Sequence, residues 1–232
     1  MQSLQIREKE IFETLKKIQK FDVVIIGGYA TNCYVLPRFS VDCDLVVLNK
    51  KEAISLGKVL EKNGYIQKES DRIKIVYRGE FMSYEKEIKK DFKVNVDLLV
   101  GCVLDRQTNA TFSAEWIFEN SEPRVLKGKT IIEQLKLRII NPDALFAMKF
   151  ITGRVSDMRD IFMLASKVEN FEWVKEEISK RYNFKERFEK IKSKVTSPTF
   201  KDNLQGVFGF IDESLFEKHK KILLEMDNPK QI

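Results

Sequence analysis

Residues 21–48 read FDVVIIGGYATNCYVLPRFSVDCDLVVL, and this stretch decides the fold. It begins with a short apolar run stopped by Gly27 and Gly28, the pattern of a buried strand. Residues 29–36 predict a helix that Pro37 ends. A loop then leads into a second strand, where Asp42 and Asp44 flank Cys43. The two-residue period of a strand sends both carboxylates to one face and Cys43 to the other, into the core. Two like charges held so close repel, and a fold tolerates them where a cation lies between. With 13 aspartates in 232 residues, a lone Asp-x-Asp arises by chance, so its surroundings carry the argument.

Those surroundings are specific. Further along, FKVNVDLLVG (92–101) alternates as a strand and sets Asp97 in an apolar run, where a charge needs a partner. Three strand-borne carboxylates that converge make a hard, oxygen-rich site suited to Mg²⁺. Two such ions about 3.5–4 Å apart activate an attacking hydroxyl and stabilise a leaving pyrophosphate. Gly27 and Gly28 follow a strand and open a helix. Lacking Cβ atoms, they let backbone N–H groups and the helix N-terminus approach phosphate oxygens. A plain strand-to-helix turn is the competing explanation.

Outward from this centre, residues 4–19 carry apolar positions near a 3.6-residue period and predict an amphipathic helix. Residues 51–64 predict a helix closing on Gly64. RIKIVYRG (72–79) reads as a strand, and PRVLKGKTIIEQLKLRII (123–140) as a hairpin turning at Lys127-Gly128-Lys129. Asn141-Pro142-Asp143 starts a helix, since Pro142 suits its first turn and Asp143 its positive end. Helices continue to the end, broken near Ser197-Pro198. There is no internal repeat. The expectation is an α/β (α+β) protein: a catalytic core over 1–140, with a small mixed sheet flanked by helices, then a helical domain over 141–232.

Composition narrows the chemistry. At 43% hydrophobic and 33% charged residues, the chain is of the globular class. No apolar run reaches the roughly 18–20 residues that cross a bilayer, and the N-terminus lacks a signal-peptide core, so a cytoplasmic location is expected. Three cysteines without CxxC spacing argue against a disulfide framework and a zinc site. The single histidine, His219, leaves catalysis to carboxylates. A formal charge of +6 suits an anionic partner such as nucleic acid, or simply a lysine-rich solvated surface. Residues 171–201 hold nine Lys or Arg against five Glu, interleaved with Phe171, Trp173, Tyr182, Phe184 and Phe188. They form either an RNA-binding face or a helix core with a solvated basic side.

GGYATNCYVLPRFSVDCDLVVL resembles the signature of the DNA polymerase β-type nucleotidyltransferases, which pair a Gly-Gly or Gly-Ser turn with an Asp-x-Asp/Glu strand and a later Asp. Arg38-x-Ser40-x-Asp42-x-Asp44 resembles the form found in the AbiEii-like, toxin-type branch. NPDALFAMKFITGRVSDMRDIFML (141–164) is similar to that branch's further signature, with Lys149, Arg154, Asp157, Arg159 and Asp160. Asp97 departs in being followed by LLVGC. The resemblance implies that Asp42 and Asp44 bind two Mg²⁺ ions and that Asp97 binds the one activating the acceptor hydroxyl. It implies that Gly27 and Gly28, with Ser40, hold the nucleoside triphosphate (ATP or another NTP), and that Arg38 and Lys149 neutralise phosphate charge. Asp160 would serve the nucleotide or acceptor pocket. Lys149 alternatively snorkels from a packed helix, and Arg154, Asp157 and Asp160 are spaced for pairing within a helix. The implied activity is transfer of a nucleotide to tRNA, to a protein hydroxyl or to a small molecule, with an antitoxin partner where the chain is a toxin. The alternative is a non-catalytic nucleotide- or RNA-binding module keeping the fold.

Overall fold

The computed structural model describes residues 2–68 and 79–227. These form two compact units. The first comprises Met1–Cys33, Phe39–Leu104 and Thr111–Ile140; the second comprises Tyr34–Arg38, Asp105–Ala110 and the chain from Asn141 onward. The strand expected at 72–79 lies, but for Gly79, outside the described residues.

The first unit is built on a seven-stranded mixed sheet with strand order β3-β4-β5-β2-β1-β9-β8. Its strands are β1 (Val24–Ile25), β2 (Asp42–Val47), β3 (Ile66–Gln67), β4 (Glu80–Lys89), β5 (Phe92–Val100), β8 (Ser121–Leu126) and β9 (Leu135–Ile140). The pairs β2/β5 and β1/β9 are parallel and the other neighbours antiparallel. Two further strands, β6 (Cys102–Leu104) and β7 (Thr111–Ser113), form a separate antiparallel ribbon. Helix α1 (Gln2–Lys17) buries Ile11, Phe12 and Leu15 and packs on β5. Helix α2 (Gly27–Tyr34) follows β1, α3 (Lys50–Lys62) follows β2, and α4 (Ala114–Glu119) follows β7. Asn49 caps α3 by accepting from the Glu52 N–H, and Gly64, at φ +86°, ends the turn after it. The mixed sheet flanked by helices agrees with the expected fold class.

One sequence expectation needs correction. Residues 123–140 do form an antiparallel pair, but β8 and β9 are joined by the long loop 127–134 and not by a tight turn at Lys127-Gly128-Lys129. The cause is Glu8 on α1, whose buried carboxylate accepts from the Lys129 N–H (2.6 Å), the Thr130 N–H (2.8 Å) and the Thr130 hydroxyl (2.6 Å). A distant acid fixes the loop, and no local signal announces it.

From Asn141 the described chain is helical: α5 (Pro142–Thr152), α6 (Val155–Leu164), a 3₁₀ turn, α7 (Phe171–Ser179), α8 (Phe184–Val195), α9 (Phe200–Phe208) and α10 (Glu213–Glu225). Asn141, Asn170, Asn183 and Asp212 cap α5, α7, α8 and α10 through their side chains. Phe184 stacks between Phe150 (5.3 Å) and Phe188 (5.7 Å), and all three rings are buried. Those rings are committed to the core and are not open to stack on a base.

Candidate active site

On the sheet of the first unit, β2 runs parallel to β5 with Asp42 opposite Asn95, Cys43 opposite Val96 and Asp44 opposite Asp97. Residues paired in register share a face. Asp42, Asp44, Asn95 and Asp97 therefore project from one side, while Cys43, Leu45, Val96 and Leu98 fill the other and are at most 1% exposed. The sheet thus brings the three carboxylates named from sequence to one face.

Gly27 closes in on this face from the first turn of α2. Its φ is +66°, and a Cβ there would overlap Asp44 Oδ2 and stand 3.1 Å from Asp44 Cγ. Only glycine meets both conditions, so the helix start and the carboxylate are fitted to each other. The Ile26 N–H also donates to the Asp44 carbonyl (3.1 Å). Gly28, one step along, is buried. The Ser40 hydroxyl donates to the Asp42 carbonyl (3.3 Å) and shapes the entry into β2.

Two polar side chains that sequence reasoning passed over complete the face. The Ser83 hydroxyl, opposite Asp97 on β4, donates to Asp97 Oδ1 (2.6 Å). The Asn95 amide donates to Asp42 Oδ1 (3.2 Å), and its own Oδ1 is buried without a hydrogen-bond partner. Asn95 could have been found, since it precedes Asp97 by two residues on the same strand. Ser83 gave no signal, because β4 itself was not expected.

Among the described residues, no group of three or more His, Cys, Asp or Glu side chains is arranged to hold a metal ion by itself. The donor set nevertheless fits Mg²⁺, which keeps several waters and is typically held by one or two carboxylates together with substrate phosphates.

In the second unit, Arg38, Lys149, Asp157 and Asp160 meet. Asp160 is fully buried and receives Arg38 through two bonds, Nε to Oδ1 (2.7 Å) and Nη2 to Oδ2 (2.6 Å). Lys149 Nζ lies 2.8 Å from Asp160 Oδ2 and 3.2 Å from Asp157 Oδ1. Asp157 also accepts from the Thr152 hydroxyl (2.7 Å) and the Arg154 N–H (3.3 Å), while the Arg154 side chain reaches Asp105 (2.9 Å). Burial raises the Asp160 carboxyl, but Lys149 and Arg38 outweigh it and hold it below the ordinary value. Burial likewise lowers Lys149, and Asp160 and Asp157 more than restore it.

Solved structures share this architecture. A Helicobacter pylori protein assigned as a nucleotidyltransferase matches all of this chain and 97% of its own, with 16% identity and a TM-score of 0.54. MenT4, a nucleotidyltransferase toxin of Mycobacterium tuberculosis, matches 97% of this chain and 83% of its own, with 14% identity and a TM-score of 0.60. JHP933 of H. pylori matches 100% and 95%, with 16% identity and a TM-score of 0.51. The fold is that of the nucleotidyltransferases. Neither a family model nor a curated relative matches the sequence.

Within this nucleotidyltransferase fold, Asp97 is the strained acid. Burial raises its carboxyl above the ordinary value, the Ser83 hydrogen bond offsets part of that, and the charge of Asp42 adds to it. A raised carboxyl pKa means that the folded state favours the protonated form. Its stabilising contribution is present at low pH and is lost as pH rises through the folded pKa. Asp97→Asn should therefore melt above the parent at pH 7, with the gain shrinking as pH falls. Thermal melts across that range would show it, and a lower melting temperature at pH 7 would contradict it.

Proposed function

We propose that this chain is an Mg²⁺-dependent nucleotidyltransferase that moves a nucleoside monophosphate from an NTP to an acceptor hydroxyl. The acceptor oxygen forms a bond to the α-phosphorus, the bond to the β-phosphate oxygen breaks, and pyrophosphate leaves as the hydroxyl gives up its proton. The observation that carries this reading is the shared face of Asp42, Asp44 and Asp97, with the Gly27 backbone set against Asp44. When bound, Mg²⁺ supplies charge neutralisation at the phosphates and a more acidic acceptor hydroxyl. Asp42 and Asp44 would hold it, and Asp97, oriented by Ser83, would hold the ion nearest the acceptor. Gly27 and Gly28 would cradle the triphosphate at the start of α2, with Ser40 keeping the preceding loop in place.

Arg38, Lys149 and Asp160 take a supporting part in this reading. Two cations and the two carboxylates of Asp157 and Asp160 sum to no net charge, which leaves no surplus for a phosphate. Lys149→Met should then lower stability by about 2 kcal/mol, the scale of hydrogen bonds to charged groups. Turnover per folded molecule should stay at the parent's level. A loss of about 10²-fold in an equally folded variant would return Lys149 to the reacting phosphates.

The acceptor is macromolecular, a tRNA end or a protein hydroxyl, in a toxin setting silenced by an antitoxin; the likeness to MenT4, itself a toxin, supports that setting. Among the described residues no helix is long and apolar enough to cross a membrane, which fits action in the cytoplasm. Incubation with each radiolabelled NTP, Mg²⁺ and either total RNA or total protein tests the reading. Label in one acceptor class, lost on chelation, supports it. NTP binding with no transfer to either class would favour a binding module.

A further inference from the structure

Among the described residues, Arg187 is a buried cation of the helical unit with no carboxylate partner. It lies in the first turn of α8, only 8% exposed, and its Nε is buried without a hydrogen-bond partner. Elsewhere in the same unit, Arg38 pairs with Asp160, Arg154 with Asp105 and Arg181 with Glu177. Among the described residues no carboxylate forms an ion pair with Arg187. Its neighbour Glu186 feels its charge, but hydrogen-bonds Lys190 (2.7 Å) and Tyr182 (3.1 Å) instead. Burying a cation is costly unless something compensates it. The compensation visible here is the Tyr182 ring, 4.7 Å from the guanidinium carbon, and a cation–π contact is a weak substitute for an anion.

The Arg187 side chain lies across Gly153, the residue that precedes the start of α6. It occupies the space a side chain at Gly153 would need: a Cβ there would lie 2.7 Å from Arg187 Cζ. Gly153 ends α5 in the left-handed conformation (φ +57°), and the chain turns at once into the ten-residue helix α6. Arg154, Val155 and Ser156 at that turn are exposed, and Val155 is 75% exposed. The first N–H groups of α6 carry the partial positive charge of a helix start. The Arg154 N–H is already given to Asp157, so Val155 and Ser156 are the groups that remain at the exposed end.

The geometry points to a phosphate-binding site made by the Arg187 guanidinium and the exposed first turn of α6. A phosphoryl group suits it better than a carboxylate. It carries the charge a helix start favours, and its oxygens can meet the guanidinium and the backbone donors together. The phosphoryl group comes either from a free nucleotide or pyrophosphate, or from an RNA phosphodiester. The site does not depend on the acidic face of the sheet, so it stands or falls apart from the proposed transfer reaction.

The test needs no folded variant to begin with. The Arg187 Nε–H resonance of the parent protein is followed by ¹H–¹⁵N NMR in metal-free chloride buffer, with inorganic pyrophosphate in one arm and a short single-stranded oligoribonucleotide in the other. A saturable shift with either probe supports the site, and the arm that shifts names the source. Arg187→Met keeps an apolar stem for the buried position, and in it the affinity for that probe should fall about tenfold or more, the scale of losing a charge-assisted hydrogen bond. An Arg187 resonance unmoved by both probes would overturn the proposal. So would equal affinity in an Arg187→Met protein that melts like the parent.

Discussion

Asp44→Asn is expected to leave the fold intact and to lower nucleotidyl transfer by about 10³-fold or more. The amide has nearly the shape of the carboxylate, so it still fits beneath Gly27, where any larger neighbour on the helix side would collide. What it lacks is the negative charge that, on the proposed reading, would hold Mg²⁺ beside the substrate phosphates. A metal ion contributes several kcal/mol to stabilising transition-state charge, and each 1.36 kcal/mol is worth about tenfold in rate. Stability should hold or rise, because one of several like charges on a shared face has gone. Single-turnover transfer from labelled NTP, read beside a thermal melt, separates the two effects. Transfer at the parent rate would remove the acidic face from the chemistry altogether.

Asp160→Ala should instead damage the fold, by about 3–5 kcal/mol at neutral pH, the cost of removing one partner from a buried ion pair. Asp160 is fully buried and holds Arg38 through both carboxylate oxygens, with Lys149 2.8 Å away. Removing it leaves two enclosed cations facing each other. The effect should also depend on pH. The Asp160 carboxyl is held below its ordinary value in the folded protein, so its contribution is complete above the ordinary carboxylate pKa and is lost as pH falls through the folded value. Urea unfolding at neutral and acidic pH should show the two proteins converging toward acid. A variant as stable as the parent at pH 7 would mean that the cations find water or another acid.

Much of the sheet was legible in the sequence because it follows from alternation. In β5, Val94, Val96 and Leu98 interleave with Asn95 and Asp97, and the two faces are written out residue by residue. The start of α5 was legible because Asn141 and Pro142 act locally. β4 was not, since EFMSYEKEIK mixes charges on both faces and lies half-buried beside β5. The loop 127–134 was not, since its shape comes from Glu8, more than a hundred residues away. The same limit applies to the site. Asp42, Asp44 and Asp97 could be named from strand period, but the partnership of Arg38 with Asp160, 122 residues apart, could not. The resemblance implied phosphate-neutralising cations at Arg38 and Lys149, and the structure shows each of them paired with a buried carboxylate.

The register of β2 against β5 has a consequence for how the molecule comes to be active. Asp44 and Asp97 meet only through a parallel pairing that spans the whole of α3, β3 and β4. Such distant pairings close slowly, since the chain loses its freedom before any contact rewards it. A slip of one residue would not give a slightly weaker site. It would turn every β2 side chain over, driving Asp42 and Asp44 toward the apolar layer and lifting the Cys43 thiol out of it. Misfolded molecules of this kind would expose the Cys43 thiol that native ones bury completely, and their acidic face would not assemble. Assembly of the acidic face would then come in a single step, when this pairing closes, with no half-formed stage before it.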